Sequence, residues 1–90
     1  MPVTIRETIA RRRRIDIRWA EDEDAPVLRR LAHLSSRALP RGPFLLAESD
    51  GEALAALSVA TGESVSDPFV ATADLVDLLE LRSRHLHAAA

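Results

Sequence analysis

The sequence predicts an α/β fold of the α+β kind, in which one sheet and two helices form about two layers in the order β-α-β-β-(β)-α. Three observations predict it. Apolar and polar residues alternate over residues 15–19, which is typical of a half-buried strand. Apolar residues recur at helical spacing in two later segments. Between those segments, the pair Asp50-Gly51 separates two apolar runs and predicts a β-hairpin.

The N-terminal residues 1–14 are predicted to be a basic, poorly ordered arm that precedes a single small domain, residues 15–90. The arm ends in four consecutive arginines, Arg11–Arg14. Such a run can bind nucleic acid, or it can pair with the acidic run Glu21–Asp24 of the same chain. The formal net charge of −2 and the pI of about 5.9 argue against nucleic-acid binding, so a solvated arm is the favoured interpretation.

Three segments are predicted to be strands, and Ser64–Ser66 is expected to add a brief fourth one. The first strand covers residues 15–19 and is expected to direct three side chains to the core: Ile15, Ile17 and Trp19. The two hairpin strands, residues 44–48 and 53–60, flank the Asp-Gly turn, whose two central residues tolerate positive φ.

Two segments are predicted to be helices. The run Glu21–Asp24 and Pro26 mark the start of the first, because carboxylates accept hydrogen bonds from the free N–H groups of a first turn and proline fits there. This helix is predicted from about Asp24 to Ala38, before a proline- and glycine-rich stretch. The second helix is predicted to run from near Thr72 to about His87.

The apolar arc of the second helix is wider than packing on one small sheet requires. It covers about half of the helix circumference at 100° per residue, with Leu81 at its margin. Its members are Leu75, Val76, Leu78, Leu79 and Leu86. The part of this arc that the sheet leaves over is expected to contact a partner. We therefore predict a homodimer whose interface includes Leu78 and Leu81.

Composition and motifs exclude several classes of chemistry. The chain has no cysteine, so disulfides, thiolate zinc sites and cysteine nucleophiles are excluded. His33, His85 and His87 are interpreted as surface residues, since the last two point about 200° apart on a helix. The acidic run lacks the spacing of a calcium loop, so no metal site is expected. Walker and Gly-x-Ser-x-Gly motifs are absent from the sequence.

Hydropathy predicts a protein that does not enter a membrane. No apolar run approaches the roughly 18–20 residues that span a bilayer. The first fifteen residues lack the uninterrupted apolar stretch of a secretory signal. A cytoplasmic location is the resulting expectation.

Two stretches of the chain resemble a known family. Residues 15–24, IDIRWAEDED, resemble the opening of the GNAT superfamily of acyl-CoA-dependent N-acyltransferases, in which a first strand ends in an I-R-x-A phrase and an acidic stretch begins the first helix. Residues 44–57, FLLAESDGEALAAL, resemble the second and third strands of that family. The resemblance spans about residues 15–60 and implies a GNAT-like sheet of half the usual length.

The segment before the last helix departs from the family pattern. GNAT members hold the acyl-CoA pyrophosphate with a Q/R-x-x-G-x-G/A loop at a helix N-terminus. Residues 66–74, SDPFVATAD, contain no glycine; Pro68 supplies no N–H, and Asp67 and Asp74 would repel a pyrophosphate. No catalytic or cofactor-binding residue of the family can therefore be carried over to this chain.

These observations favour a small non-catalytic GNAT-like domain that acts as a homodimeric binding or regulatory module, with no cofactor and with an unidentified ligand or protein partner. The alternative is an N-acetyltransferase that uses acetyl-CoA and completes its site by oligomerisation. Nucleic-acid binding through the arginine arm is a third interpretation.

Overall fold

The computed structural model describes residues 14–89. Four antiparallel strands form one sheet in chain order, and two helices flank it. The strands are β1 (Ile15–Trp19), β2 (Phe44–Ser49), β3 (Glu52–Ser58) and β4 (Ser64–Ser66), and the helices are α1 (Ala25–Leu34) and α2 (Ala73–Ala89). The α+β class and the predicted order of elements are confirmed. The arm predicted for residues 1–14 lies outside the described residues, apart from Arg14.

The two helices cover opposite faces of the sheet, and each face has its own apolar cluster. Neighbouring residues of β2 point to opposite faces, so Leu46 packs toward α1 while Leu45 packs toward α2. The α1 side buries Leu28, Leu31, Ala32, Phe44, Leu46, Ala56 and Val65. The α2 side buries Leu45, Ala47, Leu54, Ala55, Leu57, Leu75 and Leu79. Since both central strands are covered on both faces, β2 and β3 are apolar almost throughout.

The predicted hairpin is confirmed and contains a bulge. Asp50 and Gly51 have φ values of 51° and 84°, as a two-residue type I′ connection requires. The register pairs Glu48 with Ala53 but Ala47 with Ala55, so Leu54 is the extra residue. The bulge turns Leu54 toward the α2 side, where it joins that cluster.

Helix α1 ends at Leu34, four residues before the predicted end at residue 38. Ser36 adopts a φ of 55° and donates its N–H to the carbonyl of His33, while Arg37 donates its N–H to the carbonyl of Ala32. These two bonds form a Schellman ending with serine at the left-handed position. The prediction of a longer helix was wrong because apolar periodicity continues beyond a termination that no glycine marks.

The core-facing role expected of β1 is only partly correct. Ile17 is half-buried against the α2 side, but the side chains of Ile15 and Trp19 are 39% and 46% exposed. Helix α2 packs over β2 and β3 and leaves this face of β1 largely uncovered. The sheet therefore has one edge whose apolar side chains remain accessible.

Candidate interaction surface

An apolar groove runs between β1 and α2, and we call it the β1–α2 groove. It is lined by Ile15, Ile17, Leu78 and Leu81, and its larger and smaller parts have volumes of about 580 Å³ and 220 Å³. Leu78 and Leu81 are 40% and 42% exposed. The structure thus places both leucines of the predicted interface in one groove, beside a strand that the sequence reasoning had assigned to the core.

Helical geometry explains why α2 both packs on the sheet and lines the groove. Leu75 and Leu79 lie four residues apart and are fully buried on the sheet. Leu78 and Leu81 are three residues apart, about 60° from each other around the helix axis, and flank the buried row on the side of β1. A single apolar arc therefore serves two surfaces, one buried and one accessible.

Charged residues of both signs surround the apolar centre of the groove. Asp74, Asp77 and Arg84 line its larger part, and Arg82 and His85 line its smaller part. An apolar centre within a polar rim is the arrangement found in protein–protein interfaces.

The outer edge of β1 presents backbone hydrogen-bonding groups. The N–H of Asp50 donates to the carbonyl of Arg14, and the N–H of Ala20 donates to the carbonyl of Phe44, each at 2.9 Å. In an antiparallel strand, the backbone groups of alternate residues bond to the same neighbouring strand. The N–H and C=O groups of the even-numbered residues of β1 therefore point toward β2. The N–H and C=O groups of residues 15, 17 and 19 point away from the sheet. Among residues 14–89 no strand pairs with them.

The opposite edge, at β4, is closed by side chains. The Ser35 hydroxyl accepts the N–H of Ser66 at 2.9 Å and lies 2.7 Å from the carbonyl oxygen of Ser66, and Arg37 donates to the carbonyl of Ser64 at 2.9 Å. These residues follow directly on α1 and occupy groups that another strand would need. With Pro68 they line a small polar cleft of about 270 Å³.

A charged network ties β1 and β2 to the start of α1. The Arg18 guanidinium donates two bonds to the Asp24 carboxylate, at 2.8 Å and 2.9 Å, and a third to Glu48 at 3.2 Å. Asp24 also accepts the N–H of Glu21 at 2.7 Å. The bonds from Arg18 and then from Glu21 lower the pKa of Asp24 to about 2, and the bonds to Asp24 and then to Glu48 raise the pKa of Arg18. Asp24 therefore stays ionised at neutral pH and is unsuited to proton transfer.

The remaining chemistry-bearing residues lie apart from one another. His33, His85 and His87 are exposed, as predicted, and Nε2 of His87 lies 3.1 Å from the carbonyl oxygen of Val59. Within the described part of the chain, no group of three or more carboxylates and imidazoles has the arrangement of a metal site. The acidic run acts at the helix start, where Asp22–Asp24 form a 3₁₀ turn.

The sequence reasoning missed that Ile15 lines the groove and that Trp19 is exposed on the same face of β1. Period-two alternation shows that they share a face with Ile17, but it does not show how far a helix extends across the sheet. The available signal was that β1 precedes the first helix and pairs only with β2, which leaves it at an edge.

Comparison with known proteins identifies no relative: no family model, no curated protein and no solved structure matches this chain. Neither helix within residues 14–89 has both the length and the apolar character needed to cross a membrane.

Proposed function

We propose that this chain is a non-catalytic binding module that forms a homodimer through the β1–α2 groove. The observation that carries the proposal is the contiguous set of exposed apolar side chains in the groove. Ile15, Leu78 and Leu81 are each exposed by about two fifths and line one depression, and Trp19, which is 46% exposed, lies on the same face of β1 as Ile15. Scattered exposed apolar residues are ordinary on protein surfaces, whereas a contiguous patch within a polar rim marks a contact surface.

The state of the ionisable groups supports a non-catalytic role. The carboxylate and guanidinium groups of Arg18, Asp24 and Glu48 bond to one another and hold elements together. The three histidines lie on the exterior and do not adjoin this network. A general acid–base site needs a titratable group within hydrogen-bond reach of a substrate, with a pKa near the working pH.

We retain the resemblance to the GNAT superfamily as part of this proposal. The strand and helix order expected from that resemblance agrees with the order in the sheet. The loop before α2 favours the non-catalytic interpretation over an N-acetyltransferase. Asp67 is buried and accepts the N–H of Phe69 at 2.8 Å, so a carboxylate occupies the loop where an acyl-CoA pyrophosphate would need donors.

Self-association is tested by measuring the molar mass of the protein in solution by light scattering, for the wild type and for Leu81→Glu. We expect a dimeric wild type and a monomeric variant. Each copy contributes one Leu81, and burial of the exposed two fifths of this side chain stabilises the dimer by roughly 0.6–1.2 kcal/mol per copy. A buried glutamate adds a desolvation cost, so dissociation is expected to be favoured at least tenfold.

The matched control is Leu39→Glu. Leu39 is 38% exposed, nearly the same as Leu81, but it does not line the β1–α2 groove. This variant should remain dimeric. A monomeric wild type, or a Leu81→Glu variant as dimeric as the control, would contradict the proposed interface.

The non-catalytic part of the proposal is tested by thermal unfolding with and without excess acetyl-CoA. A ligand that binds only the folded state adds about 2.7 kcal/mol at 100 times its Kd, which would raise the Tm of a domain of this size by several degrees. We expect no change in Tm. A clear rise would favour the N-acetyltransferase alternative.

A further inference from the structure

We propose that the two copies join edge to edge, with β1 of one copy pairing antiparallel to β1 of the other about a two-fold axis at Ile17. Two four-stranded sheets then become one sheet of eight strands. This inference rests on the proposed homodimer and specifies its register. The arrangement follows from the backbone, the charges and the apolar side chains of β1.

The backbone of β1 is arranged for this pairing. Its outward N–H and C=O groups belong to Ile15, Ile17 and Trp19, because the groups of Arg14, Asp16, Arg18 and Ala20 bond to β2. In an antiparallel pair centred on Ile17, the two copies of Ile17 exchange both hydrogen bonds. Ile15 of each copy then exchanges its pair of bonds with Trp19 of the other. The Trp19 carbonyl also accepts a bond from Arg18 at 3.1 Å, which leaves its second lone pair for the second copy.

Charge complementarity selects this register. Centred on Ile17, the strand places Asp16 opposite Arg18 of the second copy, and the two-fold axis repeats this pair. Centring the axis on Asp16 would place two carboxylates opposite each other, and centring it on Arg18 would place two guanidinium groups opposite each other. Parallel pairing in register opposes like charges at both positions. Opposite charges directly across a strand pair stabilise it, and like charges destabilise it.

Both members of the pair are accessible to a second copy. The Asp16 side chain is about half exposed and bonds to Nε of Arg14 at 3.1 Å. The Arg18 side chain is also partly exposed while it bonds to Asp24 and Glu48. All five N–H groups of the Arg18 guanidinium already donate within the chain, so its pairing with Asp16 of the second copy is an electrostatic contact across the strands and not an additional hydrogen bond.

The other face of the paired strands fills the space between the two α2 helices. Helix α2 packs over β2 and β3, so its axis lies about one and a half strand spacings from β1. The two helix axes are then about four spacings apart, or roughly 19 Å. With a helix radius of about 5 Å, a gap of about 9 Å remains. Three large side chains from each copy occupy it: Ile15, Ile17 and Trp19.

The closed edge at β4 makes the dimer a finite assembly. Ser35 and Arg37 already bond to the outward groups of Ser64 and Ser66. Only the β1 edge is left for pairing within the described part of the chain, and a single self-complementary edge joins two copies and then stops.

Cysteine cross-linking tests the register, because the wild-type chain has no cysteine. We would mix the Ile15→Cys variant with the Trp19→Cys variant, oxidise the mixture, and measure covalent dimers by non-reducing electrophoresis and intact mass. Residues directly opposite in the proposed pairing have Cα atoms about 5.5 Å apart, within the range of a disulfide. Both positions are exposed, so the substitutions leave the folded core intact.

Each variant alone is the control for the mixture. Two copies of residue 15, or two copies of residue 19, are offset by four residues in this register, which is roughly 14 Å. We expect a covalent dimer in the mixture and little in either variant alone. Cross-linking of equal strength in the single variants, or none in the mixture, would overturn the proposed register.

A charge reversal gives an independent measurement. Asp16→Arg places two arginines opposite each other at two symmetric positions and should weaken dimerisation about tenfold or more in sedimentation equilibrium. Glu63→Arg makes the same change of charge in the exposed turn before β4 and should leave the dimer unchanged. An Asp16→Arg dimer as stable as that of the control would contradict the pairing of Asp16 with Arg18.

The outcomes separate this inference from the proposed function. A dimeric wild type that dissociates with Leu81→Glu but gives no cross-link between residues 15 and 19 overturns the edge pairing and leaves the groove as the interface. A monomeric wild type overturns both.

Discussion

The network around Asp24 predicts how the stability of the fold depends on pH. Asp24 is nearly buried, accepts two bonds from Arg18, and has its pKa lowered from 3.8 to about 2. A carboxyl whose pKa is lower in the folded state stabilises the fold above its unfolded pKa, and this stability is lost as pH falls toward the folded pKa. Arg18 stays charged throughout this range. The substitution Asp24→Asn removes the charge and keeps the size of the side chain.

The magnitude follows from the lowered pKa. A fall from 3.8 to about 2 corresponds to roughly 2.4 kcal/mol at neutral pH. Because the Arg18 side chain is more than a third exposed, solvent screening reduces this to about 1–2 kcal/mol. We therefore expect Asp24→Asn to be less stable than the wild type by about 1–2 kcal/mol at pH 7. Roughly half of that difference should be lost by pH 3, since the wild-type carboxyl is then mostly protonated in the unfolded chain while it is still mostly ionised in the folded one.

Urea unfolding followed by far-ultraviolet circular dichroism, at fixed protein concentration from pH 7 to pH 3, measures this difference. Asp22→Asn is the control, because it removes an exposed carboxylate from the same turn and should change stability by less than about 0.5 kcal/mol. A difference between wild type and Asp24→Asn that stays constant over the whole pH range would refute the assignment of the stabilisation to the ionised carboxylate.

Two further predictions concern the scaffold. Ser36 occupies a left-handed position with a φ of 55°, so Ser36→Gly should raise the free energy of unfolding by about 0.5–1 kcal/mol while Ser36→Ala should not; equal effects in urea unfolding would contradict the strain at this position. Leu79 is fully buried between α2 and the sheet, so Leu79→Ala should lower the free energy of unfolding by about 2–5 kcal/mol, against less than about 1 kcal/mol for Leu39→Ala; similar losses would show that α2 is not packed as described.

The elements of this fold were predictable because each depends on nearby residues. The turn at Asp50-Gly51 needs only two residues that tolerate positive φ, and the structure has both of them there. The start of α1 needs only the acidic 3₁₀ turn that precedes it and a proline in its first turn. The end of α1 was not predictable in this way, because serine and not glycine occupies the left-handed position of its Schellman ending. The side chains of Ser35 and Arg37 then bond to β4, about thirty residues away in the chain.

The residues of the candidate surface were likewise predictable only in part. The width of the apolar arc on α2 identified Leu78 and Leu81 as residues that the sheet does not fully use, and helical periodicity is a local property. That Ile15 lies exposed beside them, and that Trp19 is exposed on the same face of β1, depends on where α2 packs across the strands. Periodicity in β1 gives the face of a side chain and not what covers that face.

The sequence by itself determined the order of strands and helices and the hairpin at Asp50-Gly51. Only the tertiary structure decided which edge of the sheet is available. Side chains that follow α1 close the β4 edge, whereas α2 packs over β2 and β3 and leaves β1 accessible. The physical reason is that backbone conformation and periodicity depend on neighbouring residues, while burial and edge protection depend on which distant segments pack together.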